Sequence, residues 1–246
     1  RYVEMFAPFG RRFQLWCSLL PGDTTGPAWP EAAARELERC YRMGARGIGE
    51  LTDKGSGMQR GEVAKADRLH PDDDRLDPVW RKAAELGIPA NVHIADHPSS
   101  WQPLGPNQER SPDFQHFNQY GKDVLSFEEL IARRDRMLAK HPRTTFIACH
   151  LGNQGHDLVA LGRALDRYPN LYLDISARDY ELGRQPRAAA RFLDRYRERV
   201  LYGSDMGSAA EMYRGWWRLL ETADEYLPGR VWWPYYGLEL PAAVLE

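Results

Sequence analysis

Residues 144–153, "TTFIACHLGN", decide the fold class of this chain. A short apolar, β-branched run predicts a buried strand, and strands covered on both faces of a parallel sheet read as continuous apolar runs of this kind. The run stops at a histidine followed by a leucine and a glycine. A lone histidine at a strand end is more often structural than a ligand. The rest of the chain decides whether His150 has partners.

Five further β-rich runs repeat the pattern, and a helical pattern follows most of them. The six predicted strands cover residues 13–19, 45–51, 88–95, 144–151, 171–176 and 200–205, and the predicted helices cover residues 30–44, 76–87, 126–142, 157–170, 186–200 and 209–227. Repeated strand–helix units indicate a parallel α/β fold. Polar residues at several strand ends favour a closed (β/α)₈ barrel of the TIM type over an open sheet, with about six βα units in this chain. We expect a single domain over residues 1–246.

Composition narrows the class of protein. The chain has 246 residues, 43% hydrophobic residues and a net charge of -2, which is typical of a globular domain and argues against nucleic-acid or membrane-surface partners. It contains neither a targeting segment nor an apolar run of the roughly 18 residues that a membrane span needs. Cys17, Cys40 and Cys149 are too scattered for a disulfide framework, so we expect reduced thiols and a cytoplasmic location.

Four residues that can bind metals lie at or near the ends of four different predicted strands. They are Glu50, His93, His150 and Asp205. Imidazoles and carboxylates suit Zn²⁺, Mn²⁺ or Fe²⁺, and a catalytic site needs about three protein ligands plus an open position. The pattern predicts a divalent metal centre, with Zn²⁺ as the first expectation. The alternative is a set of structural polar residues at a barrel rim.

Five segments also carry a family resemblance: "GARGIGELTDKG", "ELGIPANVHIADHP", "HPRTTFIACHLGN", "YPNLYLDISAR" and "RVLYGSDM". Together they resemble the amidohydrolase-related family, amidohydrolase family 2, of the metal-dependent hydrolases. The resemblance implies a (β/α)₈ barrel and relatives that include hydrolases, lactonases and non-oxidative decarboxylases. It matches His93 and His150 to the histidines of the fifth and sixth strands, Asp205 to the eighth-strand aspartate, and Glu50 to a fourth-strand carboxylate.

One feature of the family is missing. Its first strand supplies a His-x-His pair, and this chain contains none. Matching residues 13–19 to the third strand of the family leaves no segment for the first two βα units. The chain also stops where the family continues into a last helix. We therefore expect a chain that lacks its first two βα units, and the alternative is a natural partial barrel that has lost half of its metal site.

The resemblance implies a role for each site residue. Asp205 would act as general base on a metal-activated water, and His150 would bind metal or polarise the substrate. A helix N-cap is the alternative for Asp205. Residues 97–122 form a long loop that could be a lid carrying Trp101 and His116 to the substrate, or an irregular loop without ligand contact. Arg178 could pair with a substrate carboxylate, although an incidental salt bridge is the simpler interpretation.

Three classes of function remain open. The first is a metal-dependent hydrolase acting on a small organic substrate, or a non-oxidative decarboxylase acting on a small carboxylic acid. The second is a nuclease, suggested by Gly-Ile-Gly-Glu at residues 47–50 but unsupported by the charge of the chain. The third is a non-catalytic binding protein, if the His-x-His strand is truly absent. We expect a small-molecule ligand, no nucleic acid and no membrane, and we leave a homo-oligomer open.

Overall fold

The computed structural model describes residues 2–19, 24–59, 61–105, 116–207, 209–229 and 231–245. All six predicted strands are present, although most are shorter than the apolar runs that predicted them. They are β1 (Leu15–Cys17), β2 (Ala45–Asp53), β3 (Ala90–Ile94), β4 (Phe146–Ala148), β5 (Leu171–Asp174) and β6 (Val200–Leu201). Alternating helices separate these strands, as the sequence predicts.

The strands form one six-stranded sheet in the order β1-β2-β3-β4-β5-β6. The pairs β1/β2, β2/β3 and β5/β6 are parallel. In β2/β3, Thr52 lies opposite His93 and Asp53 opposite Ile94. Because spatial order follows chain order, each connection joins neighbouring strands, as in consecutive βα units. The carboxyl ends of parallel strands meet at one edge of the sheet, which is the edge that the polar residues follow.

The described helices agree with the six helical patterns. Those patterns correspond to α2 (Trp29–Arg42), α3 (Asp77–Leu86), α4 (Phe127–Lys140), α6 (Leu158–Arg167), α8 (Pro186–Arg195) and α9 (Ala210–Glu221). Four shorter segments complete the set: α1 (Tyr2–Phe6), α5 (Cys149–Gly152), α7 (Asp179–Arg184) and α10 (Ala242–Leu245). Short 3₁₀ helices cover Ala7–Arg12, Lys65–Asp67, Asp74–Leu76, Pro98–Trp101 and Arg197–Arg199.

Local sequence signals explain where the helices begin and end. Ser126 caps α4, and its hydroxyl oxygen accepts a hydrogen bond from the amide of Glu129 at 3.2 Å. This bond satisfies one of the amide donors that the first turn leaves free. Gly87 ends α3 with a φ of 64°, a left-handed conformation that glycine adopts without steric cost. Ser126 and Gly87 are the first residue of the predicted helix 126–142 and the last residue of the predicted helix 76–87, so these two predicted helix ends are confirmed.

The chain divides into two compact units. The first contains Arg1–Ala95, Asp123–Ile147 and Tyr168–Leu171, and the second contains Asp96–Lys122, Ala148–Arg167 and Tyr172–Glu246. Fully buried side chains of the first unit include Leu37, Ile48, Trp80 and Leu130. In the second unit the buried side chains include Tyr180 and Trp216. The expectation of a single domain stays a prediction.

The cysteines correct one expectation. Cys17 in β1 and Cys40 in α2 form a disulfide, with their Cα atoms 5.9 Å apart, so the prediction of reduced thiols is wrong for this pair. Their separation of 23 residues in the sequence hid the contact, because the strand–helix connection brings the two positions together only in the folded chain. Cys149 is a free, buried thiol, as expected. None of the helices in the described part of the chain is long and apolar enough to cross a membrane.

Candidate metal centre

The backbone turns sharply after the last four strands. Non-glycine residues with positive φ follow them: Ala95 (66°) after β3, His150 (60°) after β4, Ala177 (51°) after β5 and Asp205 (51°) after β6. L-residues avoid this left-handed region, at a cost of about 1–3 kcal/mol each, unless the surroundings hold them there. Two of the four residues are predicted site residues. The strained turns therefore coincide with the strand ends at which the sequence places the site.

Glu50 and His93 form a close pair in the first unit. Glu50 lies in β2 and His93 lies in β3, and Oε1 of Glu50 is 2.9 Å from Nδ1 of His93. Thr52 donates its hydroxyl to the same carboxylate oxygen at 2.9 Å. The imidazole of His93 is buried, whereas the side chain of Glu50 is 39% exposed. A carboxylate that accepts from Nδ1 orients the imidazole, and a carboxylate partner of this kind is common around metal-bound histidines.

His150 lies in the second unit, in the left-handed turn that follows β4. The predicted strand over residues 144–151 is therefore shorter than expected, because β4 ends at Ala148 and His150 and Leu151 have positive φ. The imidazole is buried. Its Nδ1 is 2.8 Å from the carbonyl oxygen of Ser176, and its Nε2 is 3.9 Å from Oδ2 of Asp205. His150 and Asp205 thus face each other without a hydrogen bond.

Asp205 lies beyond the end of β6, and its side chain is 61% exposed. The alternative of a helix N-cap is wrong, because α9 begins at Ala210 with Ala209 as its N-cap residue. The role of Asp205 as a metal ligand and general base stays a prediction.

Arg178 is buried within its own turn and helix. Its guanidinium donates to the carbonyl oxygen of Ala177 at 2.9 Å and to Oδ1 of Asn153, and its Nε lies 3.4 Å from Oε1 of the buried Glu181. Burial is the largest single influence and opposes the charge of this guanidinium, but Glu181 together with Tyr180, Asp96 and Asp174 outweighs it, so the pKa of Arg178 is raised. Arg178 is held by the protein itself, which favours the salt-bridge interpretation over the substrate-binding one.

The other two residues predicted to bind substrate lie on the long loop after β3. Trp101 ends the 3₁₀ helix Pro98–Trp101 and is half-buried, whereas His116 is exposed. Residues 106–115 lie outside the described residues, so the predicted lid over residues 97–122 is only partly described. Within the described part, His97 caps the 3₁₀ helix, and its Nδ1 accepts from the amide of Ser99 at 3.2 Å. The substrate-binding role of Trp101 and His116 stays a prediction.

One buried carboxylate in the first unit is not among the predicted site residues. Asp53, at the end of β2, has no exposed surface. Its Oδ1 accepts hydrogen bonds from the amides of Gly55 at 2.8 Å and Gly57 at 3.0 Å, and its Oδ2 is 2.7 Å from Nδ1 of His70. Asp53 thus folds the glycine-rich loop that follows β2. The available signal was an aspartate two residues before a glycine, which is typical of an Asx turn.

Comparison with known proteins places this arrangement in a family. The amidohydrolase pattern of family 2 matches residues 18–244. The chain belongs to the amidohydrolase family. None of the curated proteins matches the sequence. The resemblance that the strand-end motifs carry is thereby confirmed.

Solved structures resemble this amidohydrolase chain at low sequence identity. One is an uncharacterised TIM-barrel protein from Bordetella bronchiseptica, with 20% identity and a TM-score of 0.51 over 83% of this chain and 58% of that chain. Another is a dihydroxybenzoic acid decarboxylase from Polaromonas sp. JS666 with bound manganese and 2-nitroresorcinol, with 20% identity and a TM-score of 0.53 over 88% of this chain and 65% of that chain. A third is the 5-carboxyvanillate decarboxylase of Novosphingobium aromaticivorans DSM 12444, complexed with manganese, with 18% identity and a TM-score of 0.52 over 86% and 60% of the two chains.

These likenesses show the fold. The expected class, an α/β chain of (β/α)₈ type with about six βα units, is confirmed by the six-stranded sheet and by the TIM-barrel neighbour. The amidohydrolase chain spans 58% of the length of the first neighbour and 65% of the manganese-bound one. The absence of the first two βα units stays a prediction.

Proposed function

We propose that this chain is a metal-dependent amidohydrolase-type enzyme acting on a small organic substrate. The observation that carries the proposal is the Glu50–His93 pair, 2.9 Å apart on neighbouring parallel strands, in a chain that matches the amidohydrolase pattern over most of its length. The family match supports metal-dependent chemistry, and Glu50 and His93 are side chains that can bind a metal ion. The activity screen described below tests the chemistry and these two residues.

The proposed metal ligands are Glu50, His93, His150 and Asp205. Glu50 and His93 belong to the first unit, and His150 and Asp205 belong to the second. A carboxylate with two imidazoles suits Zn²⁺, Mn²⁺ or Fe²⁺ and leaves positions open for substrate. The donor set fits a divalent metal, and Asp205 would add a second carboxylate to it. A bound metal would supply Lewis-acid activation and lower the pKa of water towards about 7.

The residues of the chain would have distinct tasks. Glu50 accepts from Nδ1 of His93 and so orients that imidazole. Asp205, exposed and without a capping role, is the proposed general base that accepts a proton during the reaction. His150, whose Nε2 lies 3.9 Å from Asp205, would bind the metal or polarise an oxygen of the substrate. Buried Arg178 would support the turn after β5, while Trp101 and His116 remain proposed substrate contacts.

Hydrolysis and decarboxylation are the two reactions that this group of residues could perform. Hydrolysis needs an activated water and a proton acceptor. Decarboxylation instead needs a site for the oxygens of the substrate and a proton donor for the carbon that loses carbon dioxide. Hydrolysis remains the first proposal, and decarboxylation is the second because the manganese-bound neighbours are described as decarboxylases of aromatic acids. A non-catalytic binding protein remains the third, if the chain works without a His-x-His strand.

The metal and the cellular setting are finer proposals. The sequence favours Zn²⁺, but two neighbours are described with manganese, so Mn²⁺ is proposed on equal terms.

A small-molecule substrate is proposed, while the expectations of no nucleic acid and of an open oligomeric state stay predictions. A cytoplasmic location also stays a prediction, and the Cys17–Cys40 disulfide weighs against it because disulfides persist mainly in oxidising compartments.

The test is an activity screen with defined metal content. The protein is stripped of metal, reloaded with Mn²⁺ or Zn²⁺, and offered aromatic carboxylates, esters, lactones and amides. Loss of carbon dioxide from a carboxylate supports the decarboxylase, and release of acid from the other substrates supports the hydrolase. Glu50→Gln and His150→Ala should lose activity, whereas Glu128→Gln, on the exposed face of α4, should keep it. A metal-loaded, folded protein that turns over none of these substrates would contradict the proposal.

A further inference from the structure

The turn that carries His150 is strained and needs support. All four residues from 150 to 153 have left-handed backbones, and three of them are not glycine: His150 with a φ of 60°, Leu151 with 54° and Asn153 with 55°. Non-glycine residues keep this conformation only where the surrounding structure holds them in it. The residues that fix this turn determine where the imidazole of His150 points.

Asp174, at the end of β5, supplies that support. Its Oδ1 accepts a hydrogen bond from the amide of His150 at 2.9 Å. The same oxygen accepts from the amide of Ser176 at 3.0 Å and from the hydroxyl of Ser176 at 2.5 Å. One carboxylate oxygen therefore ties the turn after β4 to the turn after β5. Bonds from amide and hydroxyl donors to an ionised carboxylate are among the stronger hydrogen bonds in proteins.

Ser176 then sets the protonation of the imidazole. Nδ1 of His150 lies 2.8 Å from the carbonyl oxygen of Ser176 and 3.0 Å from its hydroxyl oxygen. A carbonyl oxygen can only accept, so Nδ1 must carry the hydrogen. The hydroxyl hydrogen points to Asp174, which leaves a lone pair of the hydroxyl oxygen facing Nδ1. Both oxygens of Ser176 therefore favour the same tautomer, with hydrogen on Nδ1 and a lone pair on Nε2.

We propose that Asp174 and Ser176 are positioning residues that lock His150 in the Nδ1–H tautomer and present the Nε2 lone pair on the side of Asp205. Asp174, Ser176 and His150 all belong to the second unit. That the Nε2 lone pair of His150 serves to bind a metal ion rests on the proposed function, whereas the tautomer of His150 does not. The tautomer and the metal affinity can therefore be measured separately.

The first readout is nitrogen NMR of the metal-free protein. The chain has 7 histidines, so ¹⁵N-histidine spectra at pH 8 are compared with those of His150→Gln to assign His150. The two neutral tautomers differ in their ¹⁵N shifts. We expect the Nδ1–H form for His150 in the unchanged protein, a small Nε2–H fraction in Ser176→Ala, which keeps the backbone carbonyl acceptor at 2.8 Å, and a larger Nε2–H fraction in Asp174→Ala. Asp174→Asn, which retains an oxygen acceptor, should restore most of the Nδ1–H form.

The second readout is metal affinity by calorimetry with Mn²⁺ and Zn²⁺. Loss of a residue that orients a metal-binding histidine typically weakens binding about 10–100-fold, so we expect that loss in Asp174→Ala and a smaller loss in Ser176→Ala. The matched control is Asp194→Asn, an exposed aspartate of α8 paired with Arg197, which should change neither readout. If Asp174→Ala fails to fold, the tautomer of His150 and the metal affinity are measured in Ser176→Ala instead.

The outcomes separate the inference from the proposed function. An Nε2–H or mixed tautomer in the unchanged protein overturns the inference, as does a tautomer that neither variant changes. The expected tautomers without any metal binding would overturn the proposed metal centre and leave the positioning of His150 intact.

Discussion

Oε1 of Glu50 lies 2.9 Å from Nδ1 of His93, and the sheet register sets this distance. Thr52 of β2 lies opposite His93 of β3, so Glu50, two residues earlier on the same face of β2, reaches the imidazole sideways. A sheet register is not easily disturbed by a side-chain substitution. The pair is therefore a suitable place to separate an effect on metal binding from an effect on folding.

Glu50→Gln should weaken metal binding and leave stability nearly unchanged. The amide removes the negative charge and the preferred acceptor for Nδ1 of His93, so we expect binding of Mn²⁺ or Zn²⁺ to weaken about 10–100-fold. The free energy of unfolding should change by less than about 0.5 kcal/mol, because Glu50 is 39% exposed. Calorimetric titration and urea unfolding measure the two effects. Unchanged affinity would remove Glu50 from the centre, and a large loss of stability would make the pair structural.

Asp53→Ala should destabilise the chain strongly. The substitution leaves two amide donors and Nδ1 of His70 without their buried acceptor, and each unsatisfied donor costs about 1–3 kcal/mol. We expect a loss of about 3 kcal/mol or more in urea unfolding. The control is Asp74→Ala, whose side chain is 93% exposed and pairs with Lys140; it should change stability by less than about 1 kcal/mol. Equal effects of the two variants would contradict the role given to Asp53.

Stability should decline at acidic pH through His141. Burial lowers the pKa of His141, an effect that Asp77 at 3.1 Å opposes only in part. Between the lowered pKa and the ordinary value of about 6.5, the unfolded chain binds more protons at this site than the folded chain does. The contribution of His141 is therefore complete above about pH 6.5 and is lost as the pH falls through the lowered pKa.

The measurement is urea unfolding of the unchanged protein and of His141→Gln between pH 5 and 8. The stability of the unchanged protein relative to the variant should rise with pH over the lower part of this range. Parallel curves would show that His141 does not titrate differently on folding, and a relative stability that falls with pH would reverse the assigned direction.

The Cys17–Cys40 disulfide determines which thiols should react and how reduction should change the free energy of unfolding. Of 3 cysteines, only Cys149 should react with a thiol reagent in denaturant before reduction, and all of them after it. Cross-linking Cys17 to Cys40, 23 residues apart, restricts the unfolded chain, so reduction should lower the free energy of unfolding by about 3 kcal/mol. Cys149→Ala serves as the control and should abolish the thiol signal before reduction. Three reactive thiols in the unreduced protein would show that the bond does not form.

The strand–helix order was readable from the sequence, because apolar runs and capping residues are local signals. Ser126 and Gly87 marked helix ends where the structure has them. The details of the site depended on contacts between distant segments. The Cys17–Cys40 bond and the Asp53–His70 contact each join residues that the chain separates widely. The left-handed turn at His150 also escaped prediction, because the hydrogen bond from the amide of His150 to Asp174 joins residues 24 positions apart in the sequence.

The sequence also could not predict which of two charged residues, Arg178 and Asp205, would be buried. Both follow a strand and both carry a charge, so the sequence could not distinguish them. In the structure Arg178 is buried against Glu181, whereas Asp205 is 61% exposed. Burial is a property of the folded chain, so the sequence alone could not predict this difference, and the roles of both residues at the site stay predictions.

The most direct test of the account is the metal content of the purified protein, measured by plasma mass spectrometry together with that of Glu50→Gln, His150→Ala and the exposed control Glu128→Gln. We expect at least about one divalent metal ion per chain in the unchanged protein and in Glu128→Gln. The metal content of Glu50→Gln and of His150→Ala should be markedly lower. A well-folded protein that takes up no metal even when incubated with Mn²⁺ and Zn²⁺, or variants that retain the full content, would contradict the proposed centre.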